Sequence, residues 1–317
     1  MVKYRFWLFT SKLLALLGSN AIQHVLADFD ASANSNLAMY WGQNSYGEVG
    51  SQDDLSSYCE DSTNDILLLS FVTVFFGTGD LPEINFAGSC EGSYFDDSEL
   101  LDCPTIASDI VTCQDNGKKI FLSLGGSSGS YGFDNDTEAE EFATTIWDIF
   151  GGGSSDTRPF GTAVVDGFDL DIEGGSSTGY SAFVTKMRNY YDEYVAAGGK
   201  QMYISGAPQC PIPDSFLNDA METSYFDFYF VQFYNNYCGI NFWEEGTSTT
   251  FNFDAWDTFA QSSGYNPDAK VYLGVSASSD AAGTGYVDID TLTTVISELA
   301  STYTSFGGVM MWYVCQF

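Results

Sequence analysis

The stretch of sequence that best indicates the fold is residues 166–173, Asp166-Gly167-Phe168-Asp169-Leu170-Asp171-Ile172-Glu173. Successive side chains of a β-strand point to opposite faces, so Asp169, Asp171 and Glu173 share one face while apolar residues occupy the other. Such a strand needs an apolar layer on one side and a polar interior on the other. A closed barrel surrounded by helices provides both, because the apolar face packs on the helices and the acidic face points inward.

Seven other segments rich in β-branched and aromatic residues accompany this one. The eight predicted strands are Leu37–Trp41, Ile66–Val74, Lys119–Leu124, Val164–Ile172, Met202–Ala207, Phe226–Phe233, Lys270–Val275 and Gly308–Trp312. Apolar periodicity predicts helices over Glu138–Phe150, Tyr180–Ala197 and Thr291–Tyr303. Strands that alternate with helices favour a single (β/α)8 TIM barrel. A doubly wound open sheet is the alternative, but no Gly-x-Gly-x-x-Gly follows the first strand and no Walker A motif is present.

The charge of the chain excludes several classes of protein. The 317 residues include 43 Asp and Glu against 10 Lys and Arg, a formal net charge of −33. Phosphate backbones and anionic lipids repel such a chain, so we expect neither a nucleic acid nor a membrane partner. His24 is the single histidine, and it lies in a segment that we expect to be removed. Carboxylates must therefore carry the acid–base chemistry, and histidine-ligated zinc or haem is excluded.

Residues 1–27 have the order of a secretory signal peptide. Two basic residues precede a mostly apolar run over residues 6–17, and Val25-Leu26-Ala27 puts small residues at a cleavage site. A membrane anchor is the alternative, but the run is shorter than the roughly 20 residues that span a bilayer. We therefore expect residues 28–317 to form the catalytic barrel of a secreted protein, extracellular or in the cell wall.

Seven cysteines follow this segment: Cys59, Cys90, Cys103, Cys113, Cys210, Cys238 and Cys315. None lies in a Cys-x-x-Cys pair, which argues against zinc-ribbon and thioredoxin-like sites. In a secreted chain the default is disulfides with one thiol left over, and spacing alone leaves the pairing open. Asn135-Asp136-Thr137 is an N-glycosylation sequon, which fits an exported protein.

Three carboxylates on one face of a strand indicate unusual ionisation. They lie roughly 6.6 Å apart, and their charges repel in a barrel interior, so at least one proton is shared. Glu173 falls at the carboxyl end of the strand, where barrel active sites lie. Burial and repulsion should raise its pKa, as a general acid requires. The alternatives are an exposed acidic strand, a Mg²⁺ or Ca²⁺ site and a sugar-binding protein without catalysis.

The acidic strand resembles the D-G-x-D-x-D-x-E signature of family 18 glycoside hydrolases. Over residues 37–313 the chain is more closely similar to the hevamine-type class III chitinases of plants and the endochitinases of yeasts and other fungi. Six further motifs, in the same order, carry the resemblance at residues 38–44, 84–88, 123–126, 206–211, 231–236 and 307–312.

The resemblance implies a role for each matching residue. Glu173 would protonate the glycosidic oxygen. Asp171 would orient the substrate's N-acetyl group, and Asp169 would share its proton. Tyr234 would donate a hydrogen bond to the acetamido oxygen. Positions lining the cleft are implied for Tyr40, Gln43, Asn85, Gly126, Gln209, Gln232, Asn235 and Trp312, the last as an aromatic floor.

The resemblance also implies a function. It is that of a monomeric, secreted endochitinase that hydrolyses β-1,4 bonds between N-acetylglucosamine residues of chitin, without a metal or cofactor. The reaction would retain configuration, with the substrate's acetamido group as nucleophile. A non-catalytic chitin-binding, lectin-like protein or inhibitor of the same fold is the alternative, and the presence of Glu173 favours the enzyme. A metal-dependent hydrolase is a third hypothesis.

Two structural expectations follow from the same resemblance. The disulfides would join Cys59 to Cys113, Cys90 to Cys103 and Cys210 to Cys238, leaving Cys315 unpaired. Because five residues follow Trp312, we expect the barrel to lack the helix that normally follows its last strand.

Overall fold

Residues 29–44, 51–247 and 249–313 are described by the structure, a computed structural model. Their strands are β1 (Asn36–Trp41), β2 (Ile66–Val74), β3 (Glu83–Ile84), β4 (Lys119–Gly126), β5 (Gly167–Ile172), β6 (Tyr203–Gly206), β7 (Phe228–Gln232), β8 (Lys270–Ser276) and β9 (Phe306–Trp312). All except β3 pair in parallel in chain order, and β9 pairs with β1. The predicted eight-stranded (β/α)8 barrel is confirmed.

The short strand β3 is an addition that the sequence pattern did not predict. It runs antiparallel to the end of β2, where the register shifts between Val72 and Val74. Phe71 and Asn85 exchange two backbone hydrogen bonds of 2.9 Å beside this pairing. The hairpin therefore returns the chain to the carboxyl end of the barrel and places Asn85 near the strand ends.

The α-helices of the described residues are α1 (Leu55–Cys59), α2 (Pro104–Asp115), α3 (Asp136–Phe150), α4 (Tyr180–Ala196), α5 (Asn218–Thr223), α6 (Phe253–Ser262) and α7 (Ile289–Thr302). The three predicted helices correspond to α3, α4 and α7. Asn135 caps α3 by accepting a hydrogen bond from the backbone of Glu138. Helices α1 and α5 are too short to show an apolar period, so the sequence did not predict them.

Alternation along β5 sorts its side chains between two layers. Phe168, Leu170 and Ile172 are buried in the core between the strands and the helices. The opposite face of the strands fills the barrel with large rings such as Tyr40 and Tyr272. The acidic face of β5 therefore points into the barrel, as the alternation predicted.

The predicted start of β5 at residue 164 is wrong by three residues. The backbone of Asp166 still bonds to Ile120 at 2.6 Å and to Tyr203 at 3.0 Å, and its side chain adds further contacts. Asp166 Oδ2 accepts hydrogen bonds from the backbone of Ile120 at 2.9 Å and from Gln114 at 2.7 Å. Lys200 Nζ lies 2.9 Å from the other oxygen. These bonds fasten the amino-terminal end of the strand, opposite the carboxyl-terminal face at which barrel active sites lie.

Three disulfides are present, with Cα–Cα distances of 5.0, 5.6 and 5.9 Å for Cys59–Cys113, Cys90–Cys103 and Cys210–Cys238. This is the pairing that the resemblance implied. The remaining cysteine, Cys315, lies outside the described residues.

Residues 1–27 also lie outside the described residues, so the signal peptide stays a prediction. The same holds for the absence of a helix after β9, because the description ends at Tyr313. No helix of the described ranges has the length and apolar character needed to cross a bilayer.

Candidate active site

Asp169 lies deepest in the acidic ladder formed by Asp169, Asp171 and Glu173, and three hydroxyl groups hold it. Its Oδ2 accepts hydrogen bonds from Tyr40 at 2.8 Å and Ser123 at 2.7 Å, and its Oδ1 accepts one from Ser205 at 2.7 Å. Burial raises the pKa of Asp169, whereas the hydroxyl donors lower it. The donors therefore stabilise a charged carboxylate inside the barrel.

Asp171 lies one step nearer the mouth of the barrel and is 3% exposed. Gln232, at the end of β7, donates its Nε2 to Asp171 Oδ1 at 2.8 Å and to the carbonyl of Ala207 at 3.1 Å. Burial raises the pKa of Asp171 well above its usual range, and the nearby charges of Glu173 and Asp169 raise it further. Asp171 therefore binds a proton at pH values where an isolated aspartate has lost it.

Glu173 is the first residue after β5 and is partly exposed. Burial raises the pKa of Glu173, and hydrogen bonds with Gln232 and Asp171 lower it. Two carboxyl groups bonded to each other share a single proton between them. A hydrogen bond between Asp171 and Glu173 requires one such proton, so we expect these two carboxyl groups to share it. The sharing between Asp171 and Asp169 that the resemblance implied stays a prediction.

Tyr234 follows β7 and is buried beside the ladder, with 6% of its surface exposed. Burial raises the pKa of its phenol well above the usual range, and the charges of Asp171 and Glu173 add to this. The hydroxyl therefore stays protonated and can donate a hydrogen bond. The loop after β8 approaches closely because residue 285 is glycine with φ of +107°, where a Cβ would lie 2.6 Å from Tyr234 Cα.

Trp312 ends β9 and packs among aromatic rings at the mouth of the barrel. Its ring stacks on Phe71 with the centroids 5.9 Å apart and meets Tyr40 edge-on at 5.4 Å. A Cβ at Gly126 would lie 3.0 Å from the ring of Phe71. Glycine at this position therefore lets Phe71 support Trp312 from below.

Gln43 and Asn85 line a cavity of about 780 Å³ next to this mouth, together with the half-exposed ring of Tyr94. Gln43 Nε2 donates to the carbonyl oxygens of Ser70 at 2.7 Å and Asn85 at 3.1 Å. These bonds tie the end of β1 to the hairpin of β2 and β3. The predicted contact of both residues with substrate stays a prediction.

Gln209 and Asn235 lie farther out, on the loops that follow β6 and β7. Gln209 Oε1 accepts a hydrogen bond from Asn236 at 3.0 Å, and Asn235 Oδ1 accepts one from the backbone of Thr284 at 3.0 Å. The disulfide Cys210–Cys238 joins the same two loops. Both side chains therefore fasten loops around the mouth, and their predicted contact with substrate stays a prediction.

Four residues at this site carry no motif that predicts a role for them: Phe71, Ser123, Tyr131 and Ser205. Two of them had a usable signal, because register places Ser123 and Ser205 directly beside Asp169 on the neighbouring strands. Predicting that register from the sequence would have placed both hydroxyls at the carboxylate. Phe71 and Tyr131 have no such signal, since Phe71 lies at a register shift within β2 and Tyr131 depends on the path of the loop after β4.

Residues 36–316 match the sequence family described as Glycosyl hydrolases family 18. The chain belongs to this family. It is 47% identical over 302 residues to Chitinase 2 of Rhizopus oligosporus and 49% identical over 290 residues to the Endochitinase of Saccharomyces cerevisiae. These alignments cover 95% and 91% of this chain but 52% and 48% of the relatives. The chain thus spans about half the length of the curated relatives that it matches.

Solved structures show the same relationship. The ICChI chitinase from Ipomoea carnea has a TM-score of 0.73 and 30% sequence identity, and the match covers 88% of this chain and 94% of that one. This family 18 barrel and the plant chitinase therefore share their architecture over nearly their whole common length.

Proposed function

We propose that this family 18 chain is a secreted endochitinase, which hydrolyses β-1,4 bonds between N-acetylglucosamine residues with retention of configuration. One observation carries the proposal. Asp169 and Asp171 are buried in the barrel interior, and the partly exposed Glu173 lies at its open end, hydrogen-bonded to Asp171, where a polymer can reach it. The chitinase names of its relatives support the substrate class.

Glu173 acts as the acid in the first step. Its proton passes to the glycosidic oxygen while the bond from that oxygen to C1 breaks. The acetamido oxygen of the same sugar forms the new bond to C1, which gives a cyclic, positively charged intermediate. Asp171 accepts a hydrogen bond from the acetamido N–H, and Tyr234 donates one to the acetamido oxygen. The positive charge offsets the second negative charge that the Asp171–Glu173 pair acquires.

Glu173 acts as the base in the second step. Its carboxylate takes a proton from water, and the water oxygen bonds to C1 as the bond to the acetamido oxygen breaks. The two displacements together retain the β configuration. Asp169 lies below Asp171 and is held in place by hydrogen bonds from Tyr40, Ser123 and Ser205.

The rival hypotheses receive less support from the site. Hydroxyl and amide hydrogens already point at the oxygens of Asp169 and Asp171, which suits a carboxylate rather than a bound cation. Among the described residues, no group of three His, Cys, Asp or Glu side chains is placed to hold a metal ion. A lectin-like protein that only binds sugar would not need a proton donor at Glu173.

The test of the mechanism uses the secreted protein and chito-oligosaccharides. Proton NMR of the fresh product should show the β-anomer first, and fully deacetylated chitosan should bind without being cut. A thiazoline analogue of the cyclic intermediate should inhibit, because it resembles the species that the site stabilises. An initial α-anomer, or rapid cleavage of fully deacetylated polymer, would rule out substrate assistance.

Secretion and endo action have separate tests. We expect the protein recovered from the medium to begin at Asp28, which amino-terminal sequencing would show. Endo action predicts that long oligosaccharides first yield fragments of mixed length. Release of a single product length from the start would contradict it.

A further inference from the structure

The hydroxyl of Tyr131 lies between the ends of two neighbouring barrel strands. It donates a short hydrogen bond to the carbonyl oxygen of Gly126, the last residue of β4. It also accepts a hydrogen bond of 3.3 Å from the backbone N–H of Glu173, the first residue after β5. Burial raises the pKa of Tyr131, so the hydroxyl keeps the proton that it donates.

The Tyr131 hydroxyl extends the hydrogen bonding of the sheet beyond its last pair of backbone partners. The register between β4 and β5 ends with Gly126 opposite Ile172. The next backbone groups that need partners are the Gly126 carbonyl and the Glu173 N–H, and the phenol bonds to both. The side chain of Tyr131 therefore replaces one backbone–backbone hydrogen bond at the point where the chain leaves the barrel.

Tyr131 is itself held rigidly. Ser130, the residue before it, exchanges backbone hydrogen bonds of 2.9 and 3.1 Å with Thr73 and Phe75 at the end of β2. The ring of Tyr131 packs against Phe75 with the centroids 5.6 Å apart. The loop can approach the end of β2 this closely only with glycine at residue 129, because its φ is +142° and a Cβ would lie 2.2 Å from the Thr73 carbonyl oxygen.

We propose that Tyr131 is a positioning residue for Glu173: its hydroxyl fixes the peptide from which the acid projects. The proposal rests on the proposed function, because it assigns Tyr131 to the step that Glu173 performs. Gly174 and Gly175 come next in the chain, and glycine restrains the backbone least of all residues. The hydroxyl therefore supplies rigidity at Glu173 that the following residues do not.

Rigidity at this peptide matters because proton transfer depends on the placement of the acid. A displacement of about 1 Å of a reacting group can lower a rate by roughly 100-fold. The carboxyl end of Glu173 is already held by Asp171 and Gln232. The phenol of Tyr131 holds the other end of the same residue, so both ends are fixed before substrate arrives.

Tyr131 also lines a cavity of about 270 Å³ with Phe76 and Phe133. A residue that touched the sugar there would change substrate binding. A residue that only positions Glu173 changes turnover instead. The two roles are thus separable by kinetics.

The experiment compares wild type with Tyr131→Phe, which removes the hydroxyl and keeps the ring. On a soluble chito-oligosaccharide we expect kcat to fall about 10- to 100-fold with KM within about twofold. We expect faster amide hydrogen exchange at Glu173 and Gly174 in the variant. Tyr191→Phe is the matched control, because its hydroxyl donates to the Tyr203 carbonyl at 3.2 Å on the helix side of the sheet. It should keep wild-type kcat and wild-type exchange at Glu173.

Three outcomes would overturn the proposal: kcat of Tyr131→Phe within about twofold of wild type, a rise in KM at unchanged kcat, or an equal loss in Tyr191→Phe. An inactive wild type would instead refute the proposed function. In that case hydrogen exchange still decides whether Tyr131 holds Glu173, and unchanged exchange in Tyr131→Phe refutes it.

Discussion

Asp171 and Glu173, at the mouth of the barrel, differ from Asp169 because each has a carboxyl group as a hydrogen-bond partner. Burial raises the pKa of both Asp171 and Glu173, and the two are hydrogen-bonded. Asp169 below them is supplied with three hydroxyl donors instead. Hydroxyl donors therefore oppose the effect of burial on the pKa of Asp169, whereas Asp171 and Glu173 interact with each other at the open end of the barrel.

Replacing Glu173 by glutamine removes the proton donor and keeps the shape of the side chain. We expect kcat to fall about 10²- to 10⁴-fold with the fold and oligosaccharide binding retained. Hydrolysis assays and calorimetric titration would measure the two effects. The control is Glu298→Gln on the exposed face of α7, which should match wild type. A Glu173→Gln variant that keeps most of its activity would refute the acid assignment.

The pH dependence of kcat/KM should follow the Asp171–Glu173 pair. Because burial raises the pKa of both groups, the acid stays protonated above the usual carboxyl range. Activity should be highest at acidic pH and fall on the alkaline side as the pair loses its shared proton. A rate that climbs steadily into alkaline pH would be incompatible with a carboxylic acid donor.

The raised pKa of Asp171 also predicts a cost in stability. The native carboxyl binds its proton more tightly than the unfolded one, so native stability falls as pH rises from the usual carboxyl range through the raised pKa. Asparagine does not titrate. We therefore expect Asp171→Asn to raise the free energy of unfolding, by an amount that grows as the pH rises above the usual carboxyl range.

The carboxyl group that caps α7 provides a control, because its effect on stability should change with pH in the opposite direction. The backbone N–H of Thr291 lowers the pKa of Asp288, so that carboxylate adds stability above the usual carboxyl range and loses it as pH falls. The stability of Asp288→Asn relative to wild type should thus decrease with rising pH. Urea unfolding at several pH values measures both variants, and parallel pH profiles for the two would contradict the assignment.

The pairing of β4 with β5 is the element on which the ladder depends. At Gly125 the two backbones approach closely, since a Cβ there would lie 2.2 Å from the carbonyl oxygen of Asp171. Its φ of +113° also lies in a region that favours glycine. Close approach of the strands therefore depends on a residue without a side chain directly opposite the ladder.

Gly125→Ala should consequently destabilise the barrel by steric clash as well as by backbone strain. Gly132→Ala is the matched control, because its φ is +128° but a Cβ there meets nothing within 4 Å. We expect Gly125→Ala to lose about 1–3 kcal/mol more than the control. Denaturant unfolding of both variants tests this, and equal losses would show that the clash is relieved by local movement.

Repulsion between its many negative charges opposes folding of the molecule as a whole. The described residues contain two ion pairs, Arg188–Asp227 and Lys200–Asp166, while the chain has a net charge of −33. Self-repulsion of this kind destabilises a compact state. The apolar core and the three disulfides therefore supply the stability of the barrel.

Disulfide removal should cost more where the closed loop is longer. The sequence separation is 54 residues for Cys59–Cys113 and 13 for Cys90–Cys103. Loop-closure entropy predicts losses of about 4 and about 3 kcal/mol for the two double alanine variants. Chemical unfolding of purified double variants gives the difference directly. A larger loss for Cys90→Ala/Cys103→Ala would mean that contacts of the folded state, not chain entropy, set the order.

The fold and the position of the acids could be predicted from the sequence because both follow from short-range periodicity. Alternation over residues 167–172 placed Asp169 and Asp171 inside the barrel, and apolar periodicity predicted three of the seven described helices but missed α2 and α6. Strand β3 and the short helices α1 and α5 lack such a period. The resemblance, rather than any spacing rule, supplied the disulfide pairing.

The partners of the acids were decided only by the tertiary structure. Asp169 is bonded by Ser205 and Tyr40, which are 36 and 129 residues away in the chain, and Glu173 is bonded by Tyr131, 42 residues away. Periodicity reports which face of an element is buried, but it contains no information on which residues of other strands lie at the same level. Register and loop path set those contacts, and through them the hydrogen-bond partners of each acid.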